Sequence, residues 1–231
     1  MNKEIIDFIE IILLSDFTLE EIEIIKNLKM PYVIHIPSSN YGIDFGKKTN
    51  DSQNLNYIKK INLYRKNLNP ICYIIHPESG DINFSIKNIK RLKIKPIALE
   101  NMPIKSLIEG ELLGFDPTDL KKYFCKIKNL EFCLDINHAI KAAISKKVDY
   151  IQFIKELLAL KKPIIFHISG GNFHTEVDEH LPLDESNYDI IEIKKVLTNL
   201  DYFVNLTFET PRNYKKKIID DLKNMKFFID S

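Results

Sequence analysis

Short runs of β-branched and aromatic residues alternate with charged stretches along the chain. The apolar runs are Ile5 to Leu14 (IIDFIEIILL), Tyr32 to Ile36 (YVIHI), Ile71 to His76 (ICYIIH), Pro96 to Glu100 (PIALE), Glu131 to Ile136 (EFCLDI), Pro163 to Ile168 (PIIFHI) and Tyr202 to Glu209 (YFVNLTFE). Most are nearly continuous rather than alternating, which suits strands buried on both faces. Between them lie stretches with helical spacing: Thr18 to Met30, Leu55 to Asn67, Thr118 to Asn129, Tyr150 to Leu160, Tyr188 to Leu200 and Asn213 to Met225. Thr18-Leu-Glu-Glu21 has the form of a capping box, in which threonine and glutamate satisfy each other's first-turn amides. Proline stands at or near the start of several apolar runs (Pro31, Pro70, Pro96, Pro163), where a missing amide costs a strand least. Regular alternation of strand and helix predicts an α/β fold of parallel strands joined by right-handed crossovers.

Such strands either close into a TIM-type (β/α) barrel or spread as a doubly wound sheet. An open nucleotide-binding sheet would carry a glycine-rich loop after its first strand, and no such loop is present. Almost every apolar run instead ends in a potential ligand, as expected where all strand ends meet at one mouth. The expectation is therefore a barrel over residues 1–231 as a single domain, with seven clear strands and a shortened N-terminal side. Met225 to Asp230 (MKFFID) is the candidate eighth strand.

Length and charge agree with this expectation. A chain of 231 residues with 45% hydrophobic composition matches one barrel domain in size. Lys+Arg of 33 against Asp+Glu of 32 gives a net charge of +1, so no strong overall field draws in nucleic acid or an anionic membrane. The three cysteines, Cys72, Cys125 and Cys133, lack a short paired spacing and read as buried reduced thiols of a cytoplasmic protein. The apolar N-terminus is interrupted by Glu4, Asp7 and Glu10, which is wrong for a signal-peptide core, and no membrane role is expected.

The chemistry sits at the ends of the apolar runs: His35, His76, Glu100, Asp135, His138, His167, Asp178, His180 and Glu209. A lone histidine in a strand is more often structural than functional, but five of six in equivalent places change that balance. Glu100 and Glu209 close apolar strands, where an unpaired buried carboxylate is expensive and a cation is a natural partner. Asp135 and His138 span a strand end and a helix start, so both can face the mouth. Asp178 and His180 lie in a long polar loop. Mixed imidazole and carboxylate ligands favour zinc, manganese or iron over calcium.

The ordered series IHIP, IIHP, LEN, LDINHA, FHISG, DEH and FETP resembles the endonuclease IV family of the xylose isomerase-like barrel superfamily (AP endonuclease family 2), from about Ile34 to Pro211. The resemblance implies three zinc ions. His35, His76 and Glu100 would hold the first; Glu100 would bridge to a second bound by Asp135, His167 and Glu209; His138, Asp178 and His180 would hold the third. It further implies a hydrolase in which a bridging hydroxide attacks phosphorus in a phosphodiester, Glu100 acts as the catalytic carboxylate, and the role is DNA repair at abasic sites. His174 has no counterpart and is expected at the surface.

Only one strand and one helix precede Ile34, so duplex-binding apparatus comparable to the family's is not expected. The loop Ser38 to Asn50 is the candidate substrate contact, through Tyr41, Phe45, Lys47 and Lys48 to a base or backbone. Lys215 to Lys217 are read as a solvated helix face. The competing reading is a sugar or sugar-phosphate isomerase or epimerase of the same superfamily, which would employ residues like Glu100, Asp135, His167 and Glu209. A non-catalytic metal-binding barrel is the third alternative.

Overall fold

The computed structural model describes residues 6–105, 110–210 and 217–231, apart from the side chains of 217 and 218. Its residues fall into two compact units, one holding residues up to Glu100 with 122–131, the other holding 101–121 and the chain from Phe132 onward.

In the first unit, β1 (Ile9–Ile12), β2 (Tyr32–His35), β3 (Tyr73–Ile75) and β4 (Ile97–Glu100) are parallel and pair in chain order, with Ile12 opposite His35 and Ile75 opposite Leu99. Every residue of β2, β3 and β4 is buried, which explains their unbroken apolar character. Helix α1 (Leu19–Lys26) starts at the expected capping box: Thr18 Oγ1 accepts the Glu21 amide and Glu21 Oε2 accepts the Thr18 amide. Helices α2 (Asp51–Tyr64) and α3 (Ile82–Ile89) follow β2 and β3. Asp81 caps α3 by accepting the Phe84 amide at 2.7 Å, and the helix buries Ile86 and Ile89.

Helix α4 spans Pro117–Lys126. In the second unit, β5 (Leu130–Asp135, from Phe132 onward), β6 (Ile165–Ile168) and β7 (Leu206–Phe208) are again parallel and in chain order, with Asp135 opposite His167 and Ile168 opposite Phe208. Helix α5 (Ile136–Lys146) leaves β5 without a loop; its N-cap is Asp135, whose Oδ1 accepts the His138 amide at 2.6 Å. Asp149 caps α6 (Tyr150–Leu160) and Asp189 caps α7 (Ile190–Thr198) in the same way.

Two expectations are corrected. Met225 to Asp230 is the last part of a helix, α8 (Lys217–Asp230), not an eighth strand. Leu222, Asn224, Met225 and Phe228 turn inward at helical spacing, Phe228 packs edge-on against Phe208 at 5.9 Å, and Phe227 and Ile229 face out. Of the helix predicted over Asn213 to Met225, the described part is helical, and its first residues, with Pro211, Lys215 and Lys216, lie outside the described residues. Cys125 is exposed rather than buried, because α4 buries Leu120 and Tyr123 on its other face, whereas Cys72 and Cys133 are buried in or beside strands. Among the described residues no helix is long and apolar enough to cross a membrane.

Candidate functional site

In the first unit, β2, β3 and β4 deliver His35, His76 and Glu100 to one place. His35 is the last residue of β2, His76 the first after β3, and Glu100 the last of β4. The Nε2 atoms of His35 and His76 lie 2.9 Å apart, and Glu100 Oε2 is 3.0 Å from His76 Nε2 and 3.5 Å from His35 Nε2. Tetrahedral bonds of about 2.0–2.2 Å place donor atoms roughly 3.3–3.6 Å apart. The three donors thus stand within a few tenths of an ångström of a cation's requirement.

The outer nitrogens of both histidines are engaged by carboxylates that the sequence reading did not single out. Glu10 Oε1 accepts from His35 Nδ1 at 2.7 Å, and Glu78 Oε1 accepts from His76 Nδ1 at 3.1 Å. These bonds fix the tautomer and leave Nε2 as the inner donor, the usual support for a metal-bound imidazole. Glu78 is buried and holds a left-handed backbone, φ 59°, a strained conformation of the kind found at functional sites. Burial opposes a charge on His76, but Glu100 and then Glu78 outweigh it and hold its pKa well above the ordinary value.

The second unit carries two further groupings. Asp135, His167 and Glu209 approach one another within 4.8 Å, with His167 Nδ1 3.2 Å from Glu209 Oε1 and 4.0 Å from Asp135 Oδ2. His138, in the first turn of α5, meets Asp178 and His180 from the connection between β6 and α7: Asp178 Oδ2 is 3.2 Å from His138 Nε2 and 2.8 Å from His180 Nδ1. His138 Nδ1 donates to the Asn101 carbonyl at 2.8 Å, again leaving Nε2 as the inner donor. His180 Nε2 lies 3.3 Å from Glu209 Oε2, so the two groupings adjoin.

His180 also holds a left-handed backbone, φ 49°. Burial works against its charge, but hydrogen bonds to Asp178 and Glu209 raise its pKa to about 11. Burial likewise pushes the Asp178 carboxyl up, and its bonds to His138 and His180 overcome this and hold it far below the usual carboxylate range. Asn137 Nδ2 donates to Asp178 Oδ1, and Tyr188 Oη donates to Asn137 Oδ1 at 2.6 Å. Gly171 makes room for that chain: a Cβ there would stand 2.6 Å from Tyr188 Cζ and 2.8 Å from Asn137 Oδ1. His174 is exposed, as expected.

The proposed substrate loop is only partly available. Phe45 is 1% exposed and belongs to the core, so it is withdrawn as a base contact. Asp44 draws it inward by accepting from the Gly46 and Lys47 amides and from Ser79 Oγ, while Asn54 bonds the Asp44 backbone on both sides. Tyr41, Lys47 and Lys48 stay at the surface.

No family model matches the chain. An uncharacterized protein of Methanocaldococcus jannaschii is 27% identical over 165 residues, a stretch covering 66% of this chain and 60% of that relative. Among solved structures, a D-tagatose 3-epimerase-like protein superposes with a TM-score of 0.72 at 21% identity, covering 97% of this chain and 88% of its own. Endonuclease IV from Thermus thermophilus superposes with a TM-score of 0.66 at 17% identity, covering 93% and 83%. These likenesses show that the chain has a TIM-barrel fold. Among the described residues, every position singled out for metal binding lies in or just after a strand, in the first turn of α5 or in the β6–α7 connection.

Proposed function

We propose that this chain is a metal-dependent phosphoester hydrolase of the endonuclease IV type. His35, His76 and Glu100 would hold one cation, Asp135, His167 and Glu209 a second, and His138, Asp178 and His180 a third. The donor chemistry fits: imidazole nitrogens with their outer atoms already bonded, and carboxylates held among them, suit zinc first and manganese or iron next. Bound cations of this kind supply Lewis acidity toward a phosphoryl oxygen and make a water molecule easier to deprotonate near neutral pH. Glu100, fully buried at the end of β4, is the catalytic carboxylate of this reading: it orients the attacking water and takes up its proton.

The observation that carries the hydrolase reading is the His138–Asp178–His180 grouping. It has its own supports, in Asn101 and Asn137, and a proton shuttle on a sugar carbon has no use for it. The runner-up is a sugar or sugar-phosphate isomerase or epimerase, favoured by the superposition on the D-tagatose 3-epimerase-like protein and employing Glu100, Asp135, His167 and Glu209. For the substrate we favour a phosphodiester with little need for duplex binding, since of the loop's four candidate contacts Phe45 is buried and Tyr41, Lys47 and Lys48 are exposed. The deciding experiment assays the zinc-loaded chain on small phosphodiesters, abasic single-stranded and duplex DNA, and ketose sugars. Phosphodiester cleavage that disappears in Asp178→Ala/His180→Ala supports the hydrolase; ketose epimerisation that survives those substitutions replaces it with the runner-up.

A further inference from the structure

We propose that Lys141 is a positioning residue for the His138–Asp178–His180 grouping, fastening the β6–α7 connection to α5 so that Asp178 and His180 are presented beside His138. This inference rests on the reading of that grouping as a cation site. Lys141 lies on α5 one turn after His138 and is 0% exposed. Its ammonium spends every donor on the connection: it reaches the Asn172 carbonyl at 2.9 Å, the Thr175 carbonyl at 3.2 Å, Thr175 Oγ1 at 2.7 Å and Glu179 Oε2 at 2.7 Å. Glu179 Oε2 also accepts the Asn172 amide at 2.9 Å, so the loop folds around the ion pair.

Glu179 stands between Asp178 and His180 in the chain. With its side chain drawn to Lys141, the backbone that carries its two neighbours is fixed, including the left-handed turn at His180. The same helix supplies Asn137, which holds the other oxygen of Asp178. Three residues of α5 therefore orient an acid, offer an imidazole and anchor a loop. An ion pair with one partner fully buried contributes little net stability compared with well-packed apolar residues, so the role assigned to this one is to fix geometry rather than to add strength. Ligands held in advance by outer bonds typically lose about ten- to a hundredfold in metal affinity when the support is removed.

The test compares wild type, Asp178→Ala/His180→Ala, Lys141→Met and Lys141→Met/Glu179→Gln as full-length chains. Zinc binding is followed by competition with a chromophoric chelator, cobalt spectra report the ligand set, and thermal midpoints are taken on metal-free protein. Asp178→Ala/His180→Ala should bind one zinc equivalent fewer than wild type, which marks this site in the titration. Lys141→Met should weaken that equivalent about ten- to a hundredfold and leave the others in place. The double variant buries no unpaired carboxylate, so its thermal midpoint should recover toward wild type while its zinc affinity and altered cobalt spectrum do not. Wild-type zinc affinity in either Lys141 variant, or affinity that returns together with the midpoint, overturns the positioning role while leaving the cation site intact. An undiminished zinc count in Asp178→Ala/His180→Ala overturns the site itself, and this inference with it.

Discussion

Glu10 offers the sharpest test of how the first grouping is built. Its Oε1 sits 2.7 Å from His35 Nδ1, and both side chains are only 8% exposed, so water does little to replace the bond. Glu10→Gln keeps the shape and an acceptor but removes the charge. A hydrogen bond to a charged group contributes about 1.5–3 kcal/mol and a neutral one about 0.5–1.5 kcal/mol, so the substitution should cost about 1–1.5 kcal/mol. At about 1.4 kcal/mol per decade, this is a roughly tenfold loss of zinc affinity. Glu10→Ala removes this acceptor altogether, and should approach the roughly hundredfold end of the range for lost outer ligands. The assay is a chelator competition that resolves each zinc equivalent, with the metal-free midpoint as a control for folding. One equivalent should weaken in the order wild type, Gln, Ala. Unchanged affinity for every equivalent in Glu10→Ala would refute the argument that carboxylate support sets the donor atoms of this grouping.

The remaining predictions concern protons and space. In the metal-free protein His76 and His180 are held protonated, so zinc uptake must displace protons; calorimetry in buffers of different ionisation enthalpy should detect their release, and affinity should rise with pH. Because both pKa values are raised in the folded state, their contribution to metal-free stability is complete below the ordinary histidine value of 6.5 and is lost as pH rises, for His180 through about 11. A thermal midpoint of the metal-free protein that climbed across that window would contradict the assignment. Gly171→Ala should push Tyr188 and Asn137 apart, destabilise by about 1–3 kcal/mol and weaken the zinc bound by Asp178; a denaturant midpoint and zinc affinity equal to wild type would show that the close approach is not needed.

How much of this was legible beforehand differs from element to element. Buried parallel strands such as YVIH and IALE announce themselves, because both faces are apolar and the polar residue at the end has no other reason to be there. Glu10 is equally visible: it interrupts an apolar stretch, and an acid inside a strand is itself a sign of a partner on the next one. MKFFID is too short for periodicity to separate strand from helix; only the inward turn of Asn224, which bonds Thr210 Oγ1 and the Leu183 amide, decides it. Phe45 could not be told from a surface aromatic, since its burial depends on the hydrogen bonds Asp44 makes to Ser79, 35 residues away. The tie between Lys141 and Glu179 is longer still, 38 residues, and no local pattern marks it.

The count of bound metal tests the account most directly. The full chain, stripped with chelator, saturated with zinc and desalted, should retain about three equivalents by elemental analysis, one for each grouping of donors. A single retained equivalent would contradict the hydrolase reading and shift the assignment to the isomerase.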